Sequence, residues 1–403
     1  MKIGYFTDIF PCCCSLDGNN IKEGEGAHFS GGMGRVVYNL LVQMSKKGHE
    51  VYVFTAAARG VDSSVECHEN MTVVRYKPRI TIGSSSISPS ILLRPSYAGV
   101  KLDIVHAHMG YFPAAMGGYF YSKIHRVPFV LTHHGDVLIS QDGSRIYRMS
   151  LSLSRYMFDF FLKRCDQIIA LSEGHCGDSD HLPKYRHKIS IIPNGVNIED
   201  FQVPFTKEEC RRRLGLPCDK NILLFVGSLT ERKGSDILLK AFEKVHRQDP
   251  DVAIIFVGDG PQRSELEEYV LKNNVDSVYF AGFVDGITKS MYYRSADLFV
   301  LPSLIEAFPL VLLEASASGL PMIVSDIQCM HAIVEDRING IFALPGNEED
   351  LAEKILNLLN DDGSMTMMGA NAFNKVKQGY SWENIAEKTE DLYRSVLHGL
   401  SDP

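Results

Sequence analysis

Short apolar runs closed by Gly, Pro or Ser recur along the chain, with stretches of helical periodicity between them. "MKIGYFTDIF", "EVYVFTA", "DIVHAHM", "PFVLTHHG", "QIIALSE" and "ISIIPNG" form one series. "NILLFVGS", "VAIIFVGDG", "SVYFAGFV", "ADLFVLPS" and "PMIVSD" form a second. Runs that are apolar along their whole length fit a parallel sheet covered on both faces. Strands alternating with helices predict βαβ units and open, doubly wound α/β sheets. Such sheets bind ligands at the carboxyl ends of their strands. The segment "PNGVNIEDFQVPFTKEE" is rich in turn formers and carries two prolines, which marks a break. The pattern therefore predicts an N-terminal domain over 1–192, a linker over 193–209, a C-terminal domain over 210–379 and a terminal helix over 380–403.

Composition adds limits. The chain has 403 residues, 45% of them hydrophobic, which fits about two globular domains. A formal charge of −8 argues against a nucleic-acid partner, which calls for a basic face. Asp8 interrupts the first apolar run too early for a secretion signal. No apolar run reaches the roughly 18 residues of a membrane span. A cytoplasmic protein is expected. The basic, aromatic stretch "RIYRMSLSLSRYMFDFFLKR" suggests peripheral contact with the inner face of a membrane, against the alternative of a core helix with snorkelling cations. Nine cysteines, an odd number, fit a reducing compartment. The run Cys12-Cys13-Cys14 reads as a loop without metal, because adjacent side chains chelate one ion poorly.

Three glycine-bearing turns look toward phosphate. Gly31 and Gly32 precede a helical pattern with Val36, Val37, Leu40, Leu41 and Met44 on one face. Glycines let backbone approach a ligand, and helix N-termini attract anions. "LLFVGSLTERKGSDILLKAF" places Arg232 and Lys233 at a helix start, where cations are unfavourable unless an anion joins them. "FVGDGPQRSELEEYV" belongs to the same rim. None matches the P-loop or G-x-G-x-x-G pattern.

In "SLIEAFPLVLLEASASG" two glutamates, Glu306 and Glu314, flank a helix start at Pro309. The amides of Phe308, Leu310 and Val311 are then free, whereas Pro309 has none. Acids beside free amides suit hydroxyls next to a phosphate. A helix-dipole partner for Glu306 and a paired core glutamate for Glu314 fit the spacing equally well. His106 and His108 share one face of a strand and read as satisfied core histidines, with a place lining the cleft as the alternative. "GHCGDSDHLP" matches no zinc spacing and reads as solvated surface.

Five stretches together resemble glycosyltransferase family 4, whose members are retaining enzymes of GT-B fold: "GGMGRVVYNL", "THHGD", "FVGSLTERKG", "VGDGP" and "EAFPLVLLEASASGLP". The last is similar to that family's E-x7-E motif, and the similarity runs over nearly the whole chain. The resemblance implies two Rossmann-like, doubly wound parallel-sheet domains facing a central cleft. It implies a nucleotide-sugar donor held by the second domain and an acceptor hydroxyl, lipid-linked in part of the family, bound by the first. Residue by residue, it implies that Glu306 lies near the donor sugar, that Glu314 binds the ribose and that Lys233 neutralises the diphosphate. It further implies that the Gly32 amide meets that diphosphate, that the backbone at Val284 contacts the base and that His134 touches the sugar. His133 is the neighbour to exclude.

Where the family has arginine after the glycine of "FVG", this chain has Ser228, and Arg232 is expected to supply that charge. The implied activity is a metal-independent, cofactor-free retaining transfer, with UDP ranked ahead of ADP and GDP as carrier. A nucleotide-sugar epimerase of GT-B fold and a non-catalytic nucleotide-sugar-binding partner are the alternatives.

Overall fold

The computed structural model describes residues 1–11, 32–82, 85–109, 112–136 and 145–399. Among the described residues, ten strands precede residue 194: β1 (Lys2–Phe6), β2 (Glu50–Ala56), β3 (Ser64–His68), β4 (Met71–Tyr76), β5 (Ile80–Ile82), β6 (Ser85–Ile87), β7 (Ile104–Met109), β8 (Phe129–His133), β9 (Gln167–Ala170) and β10 (Ile189–Ile191). Six follow: β11 (Asn221–Val226), β12 (Val252–Val257), β13 (Val278–Gly282), β14 (Leu298–Leu301), β15 (Met322–Ser325) and β16 (Ile341–Ala343). The helices are α1 (Gly32–Lys46), α2 (Phe112–His125), α3 (Arg145–Arg164), α4 (Glu173–Asp178), α5 (Lys207–Leu214), α6 (Ser235–Gln248), α7 (Arg263–Asn273), α8 (Gly286–Ser295), α9 (Leu310–Ala317), α10 (Glu348–Leu359), α11 (Asp362–Gly379) and α12 (Trp382–Gly399).

The chain folds as two units, Met1–Asn194 joined by Trp382–Pro403, and Gly195–Ser381. The sheet of the first runs β10-β9-β8-β7-β1-β2-β4-β3, parallel except for the β3–β4 pair. That of the second runs β13-β12-β11-β14-β15-β16 and is parallel throughout. The expected α/β class with two Rossmann-like sheets is what the chain adopts. Every residue of β7, β8, β12, β14 and β15 is buried, the condition a sheet covered on both faces imposes. Helices supply the cover with apolar stripes, such as Leu238, Leu239, Phe242 and Val245 of α6.

The first unit takes the C-terminal helix α12 into its core. Tyr393 of α12 and Tyr5 of β1 are both fully buried, and their hydroxyls lie 2.9 Å apart. The Tyr393 hydroxyl also meets His106 Nδ1 at 2.5 Å, while His106 Nε2 bonds Thr132 Oγ1 at 2.7 Å.

Two expectations need correction. The segment read as a linker is built into the second unit from Gly195 onward. Val196 N donates to Tyr380 O at 2.9 Å, Ser290 Oγ to Asp200 O at 2.6 Å, and Phe201 packs edge-on against Tyr293. Its turn formers shape a packed surface layer, and Thr206 with Glu209 closes a capping box on α5. In addition, β3, β4, β5, β6 and β16 lie outside the two series of runs that the pattern predicts. β3 is a partly exposed edge and β16 has three residues, so neither leaves a continuous apolar run.

Candidate active site

In the second unit β11 lies between β12 and β14, so the strand order reverses there. Loops leaving strands at such a reversal form the crevice in which open α/β sheets bind ligands. The loop after β11 carries "LTERKG" and the loop after β14 carries "SLIEAFP". Leu304 N donates to Arg232 O at 2.8 Å, tying the two together. Gly234 is left-handed at φ +67°, and a Cβ there would stand 2.3 Å from the Pro302 carbonyl oxygen. Only glycine permits that approach.

The approach brings Lys233 Nζ onto Glu306 Oε1 as an ion pair, and Ser303 Oγ donates to the same oxygen at 3.0 Å. Both charged side chains are largely enclosed, at 14% and 7% exposure. Arg232 is exposed. The turn after β12 joins the same rim: Leu229 N donates to Asp259 O at 3.0 Å and Gln262 N to Leu229 O at 3.1 Å.

Pro309 caps α9, which starts at Leu310. Phe308 is buried, and Leu310 and Val311 occupy the first turn, whose amides have no intrahelical acceptor. Glu314, buried one turn further on, accepts from Tyr293 OH at 2.8 Å and pairs with Lys289 Nζ at 2.6 Å. The paired-glutamate reading of Glu314 thus holds. Its carboxylate still has acceptor capacity, since two oxygens offer about four lone-pair positions. Val284 sits between β13 and α8, next to the exposed ring of Phe283.

In the first unit the equivalent reversal lies between β7 and β1. Gly32 opens α1 and is exposed. Gly31 and Cys12-Cys13-Cys14 lie outside the described residues. His134 follows β8, and its Nε2 lies 2.9 Å from His108 Nδ1. Burial, then the neighbouring His133, pushes the His134 ring down to about 3, so it is neutral near pH 7.

His133 points into the protein at 0% exposure. Leu171 N donates to His175 Nδ1 at 3.3 Å, which places the His175 proton on Nε2, 3.0 Å from His133 Nδ1. The His133 proton is thereby left on Nε2, 3.1 Å from Asp136 Oδ1. Burial raises the Asp136 carboxyl, but His133, the Asp180 amide and Ser179 outweigh it and hold the group well below the ordinary carboxylate value. Asp136, which accepts from Ser179 Oγ at 2.9 Å and Asp180 N at 2.8 Å, thus anchors the turn directly after His134 beside the His133–His175 pair.

This corrects the solvated-surface reading of "GHCGDSDHLP". His175, Cys176 and His181 are buried, Asp180 N donates to Asp136, and His181 Nδ1 meets Asp159 at 2.9 Å. Among the described residues no group of three or more His, Cys, Asp or Glu side chains is placed to hold a metal ion.

Two family models match the chain, Glycosyltransferase Family 4 over residues 30–200 and Glycosyl transferases group 1 over residues 206–375. An uncharacterised glycosyltransferase of Methanocaldococcus jannaschii is 31% identical over 91% of this chain and 95% of its own length. The chain belongs to glycosyltransferase family 4. An Escherichia coli UDP-Gal:alpha-D-GlcNAc-diphosphoundecaprenol alpha-1,3-galactosyltransferase is 30% identical to this glycosyltransferase, over 84% of the chain and 86% of the relative. Two solved structures share its fold: sucrose-phosphate synthase from Thermosynechococcus elongatus (TM-score 0.76, 22% identity, 99% and 100% coverage) and Anabaena HepE in complex with UDP and glucose (TM-score 0.73, 19% identity, 98% and 100% coverage).

Sequence reasoning missed Lys289, Tyr293 and Ser303 in this glycosyltransferase, and it set aside His133 and His175. Lys289 and Tyr293 are spaced i,i+4 and share a helix face, a legible signal once α8 is known to flank α9. Among the described residues, no helix is long and apolar enough to cross a membrane.

Proposed function

We propose that this glycosyltransferase is a retaining enzyme that moves a sugar from a UDP-sugar to an acceptor hydroxyl without a metal. The ion pair of Lys233 and Glu306, enclosed at the strand-order reversal of the second unit, carries the reading. A diphosphate competes with Glu306 for Lys233, and the carboxylate it releases accepts from a sugar hydroxyl. Glu314, already oriented by Lys289 and Tyr293, accepts from the ribose. The amides of Phe308, Leu310 and Val311 face the phosphate oxygens, and the backbone at Val284 meets the base. Arg232 adds the charge that Ser228 does not provide. In the first unit, the Gly32 amide serves the diphosphate and His134 contacts the sugar.

Breaking the sugar C1–O bond to phosphate leaves positive charge on the sugar and negative charge on the diphosphate. Fixed donors such as Lys233 stabilise the latter, and removing one such donor typically costs about 2.7–4 kcal/mol of barrier. The acceptor oxygen bonds to C1 on the face the phosphate leaves, and its proton passes to a phosphate oxygen. Glu306 positions the sugar and adds electrostatic stabilisation; it is not a nucleophile.

The named substrate of the E. coli relative and the UDP and glucose bound to HepE support UDP as carrier. The diphosphoundecaprenol in the relative's name supports a lipid-linked acceptor. On the basic helix α3, Met149 and Tyr156 are 71% and 72% exposed, as peripheral membrane contact requires. Flotation with acidic liposomes tests that contact, and absence of binding at low salt rejects it.

Calorimetry with UDP, GDP and ADP, without and with magnesium, tests the carrier. Selective UDP binding without metal is expected. Turnover of UDP-glucose or UDP-galactose with a polyprenyl-diphosphate sugar acceptor should retain the anomeric configuration. Lys233→Ala should lower kcat by roughly 10²–10³-fold, and Arg232→Ala should weaken donor binding about as much as Lys233→Ala does. Binding that requires magnesium, or an inverted product, overturns the reading.

A further inference from the structure

His108 lies beside the candidate site, and its hydrogen-bond partner among the described residues is His134. It is 1% exposed on β7, with its ring stacked on His106 at 4.4 Å between centroids. His106 is saturated: Nδ1 has Tyr393 OH and Nε2 has Thr132 Oγ1. His108 is not. Its Nδ1 lies 2.9 Å from His134 Nε2, and its Nε2 is buried with no hydrogen-bond partner among the described residues.

A neutral imidazole carries one N–H and one lone pair, so the two rings share a single proton along the 2.9 Å contact. If His108 bore its proton on Nε2, a donor would be buried with nothing to receive it. If the proton sits on Nδ1, the unpaired atom is a lone pair. Buried orphan donors are rarer than under-satisfied acceptors, and the second arrangement is favoured. His108 Nδ1–H then donates to His134 Nε2, and the proton of His134 stands on Nδ1. No hydrogen bond to Nδ1 of His134 is found among the described residues, and the ring is half-buried, so this N–H is left without a protein acceptor there. A charged form of either ring is opposed by burial and by the other histidines of the cluster.

We infer that His108 is a positioning residue that locks His134 in its Nδ1–H tautomer, so that His134 meets the sugar as a neutral hydrogen-bond donor to a hydroxyl oxygen and cannot act as a base. The inference rests on the reading above that His134 contacts the sugar. It assigns a direction to that contact: the sugar oxygen accepts.

Long-range proton–nitrogen correlation spectra of the full-length protein labelled with nitrogen-15 histidine report the tautomer of each ring. The His134 signals are identified by their loss in His134→Gln. A protonated Nδ1 and a bare Nε2 on His134 are expected; a protonated Nε2 overturns the inference. Steady-state transfer gives the second readout. His108→Phe removes the donor and should lower kcat/KM by about two- to tenfold, the worth of one ordinary hydrogen bond, with UDP affinity unchanged. His108→Asn sets an amide N–H near the position of Nδ1 and should restore most of that loss. If Phe and Asn behave alike while both fold, the positioning role falls. If His134 shows the expected tautomer but His134→Gln transfers sugar at the wild-type rate, the sugar contact of His134 falls instead, and the positioning role falls with it.

Discussion

Gly234 is the position at which one methyl group should undo the second unit's site. Its φ of +67° costs an L-residue about 1–2 kcal/mol. The added Cβ would lie 2.3 Å from the Pro302 carbonyl oxygen. Ordinary carbon–oxygen contacts are roughly 3.3 Å or longer, so the carbonyl would have to retreat by about 1 Å. The obstacle is backbone, and overpacking of that kind typically adds about 1–3 kcal/mol. Gly234→Ala should therefore destabilise the protein by about 2–5 kcal/mol. Relief can come only by separating the loops after β11 and β14, which breaks the Leu304 N to Arg232 O bond and draws Lys233 from Glu306. A 1 Å misplacement in an active site can cost about 10²-fold in rate. Denaturant unfolding gives the first quantity, and UDP-sugar turnover by the folded fraction gives the second. An alanine variant with wild-type unfolding midpoint and wild-type turnover would refute the claim that this approach builds the site.

Lys289→Met removes the cation from a pair in which both side chains are nearly enclosed, at 12% and 10% exposure. Leaving Glu314 charged without it should cost about 3–5 kcal/mol, and a loss below 1 kcal/mol in denaturant titration would show that Tyr293 alone suffices. Tyr393→Phe deletes the hydroxyl shared by Tyr5 and His106 and should cost about 1–3 kcal/mol; an unchanged unfolding midpoint would mean that apolar packing and the Glu390 contacts with Lys47 and His49 hold α12 without that hydroxyl. His106 and His175 are bases pushed down to about 3, by burial first and by neighbouring histidines second. The unfolded chain takes up these protons first as pH falls below about 6.5. Stability should thus be full above that pH and decline toward pH 3, by up to about 1.4 kcal/mol per pH unit for each ring. His175→Asn should flatten the slope measured between pH 7 and 5, and a flat wild-type profile would contradict the neutral-ring assignment.

Much of this protein is written in local pattern. Runs such as "VAIIFVG" are apolar on both faces, so burial on both sides follows from the residues themselves. Pro309 and Gly319 bracket α9 for reasons of φ and missing donors that act within a few positions. Glu306 and Lys233 stand out because turn signals place them beside helix starts at strand ends, whereas His134 stands out only through the family resemblance. Tertiary structure decided the partners. Lys233 and Glu306 are 73 positions apart, and their meeting depends on β11 and β14 being neighbours, a matter of strand order that no local pattern encodes. The fate of the histidines was likewise settled by packing. The period of two puts His106 and His108 on one face, but only the arrival of Tyr393 on α12 satisfies the first and leaves the second to hold His134. Local sequence fixes which groups can donate, accept or turn; long-range contacts select the pairings, because a hydrogen bond or ion pair exists only where the fold closes the distance.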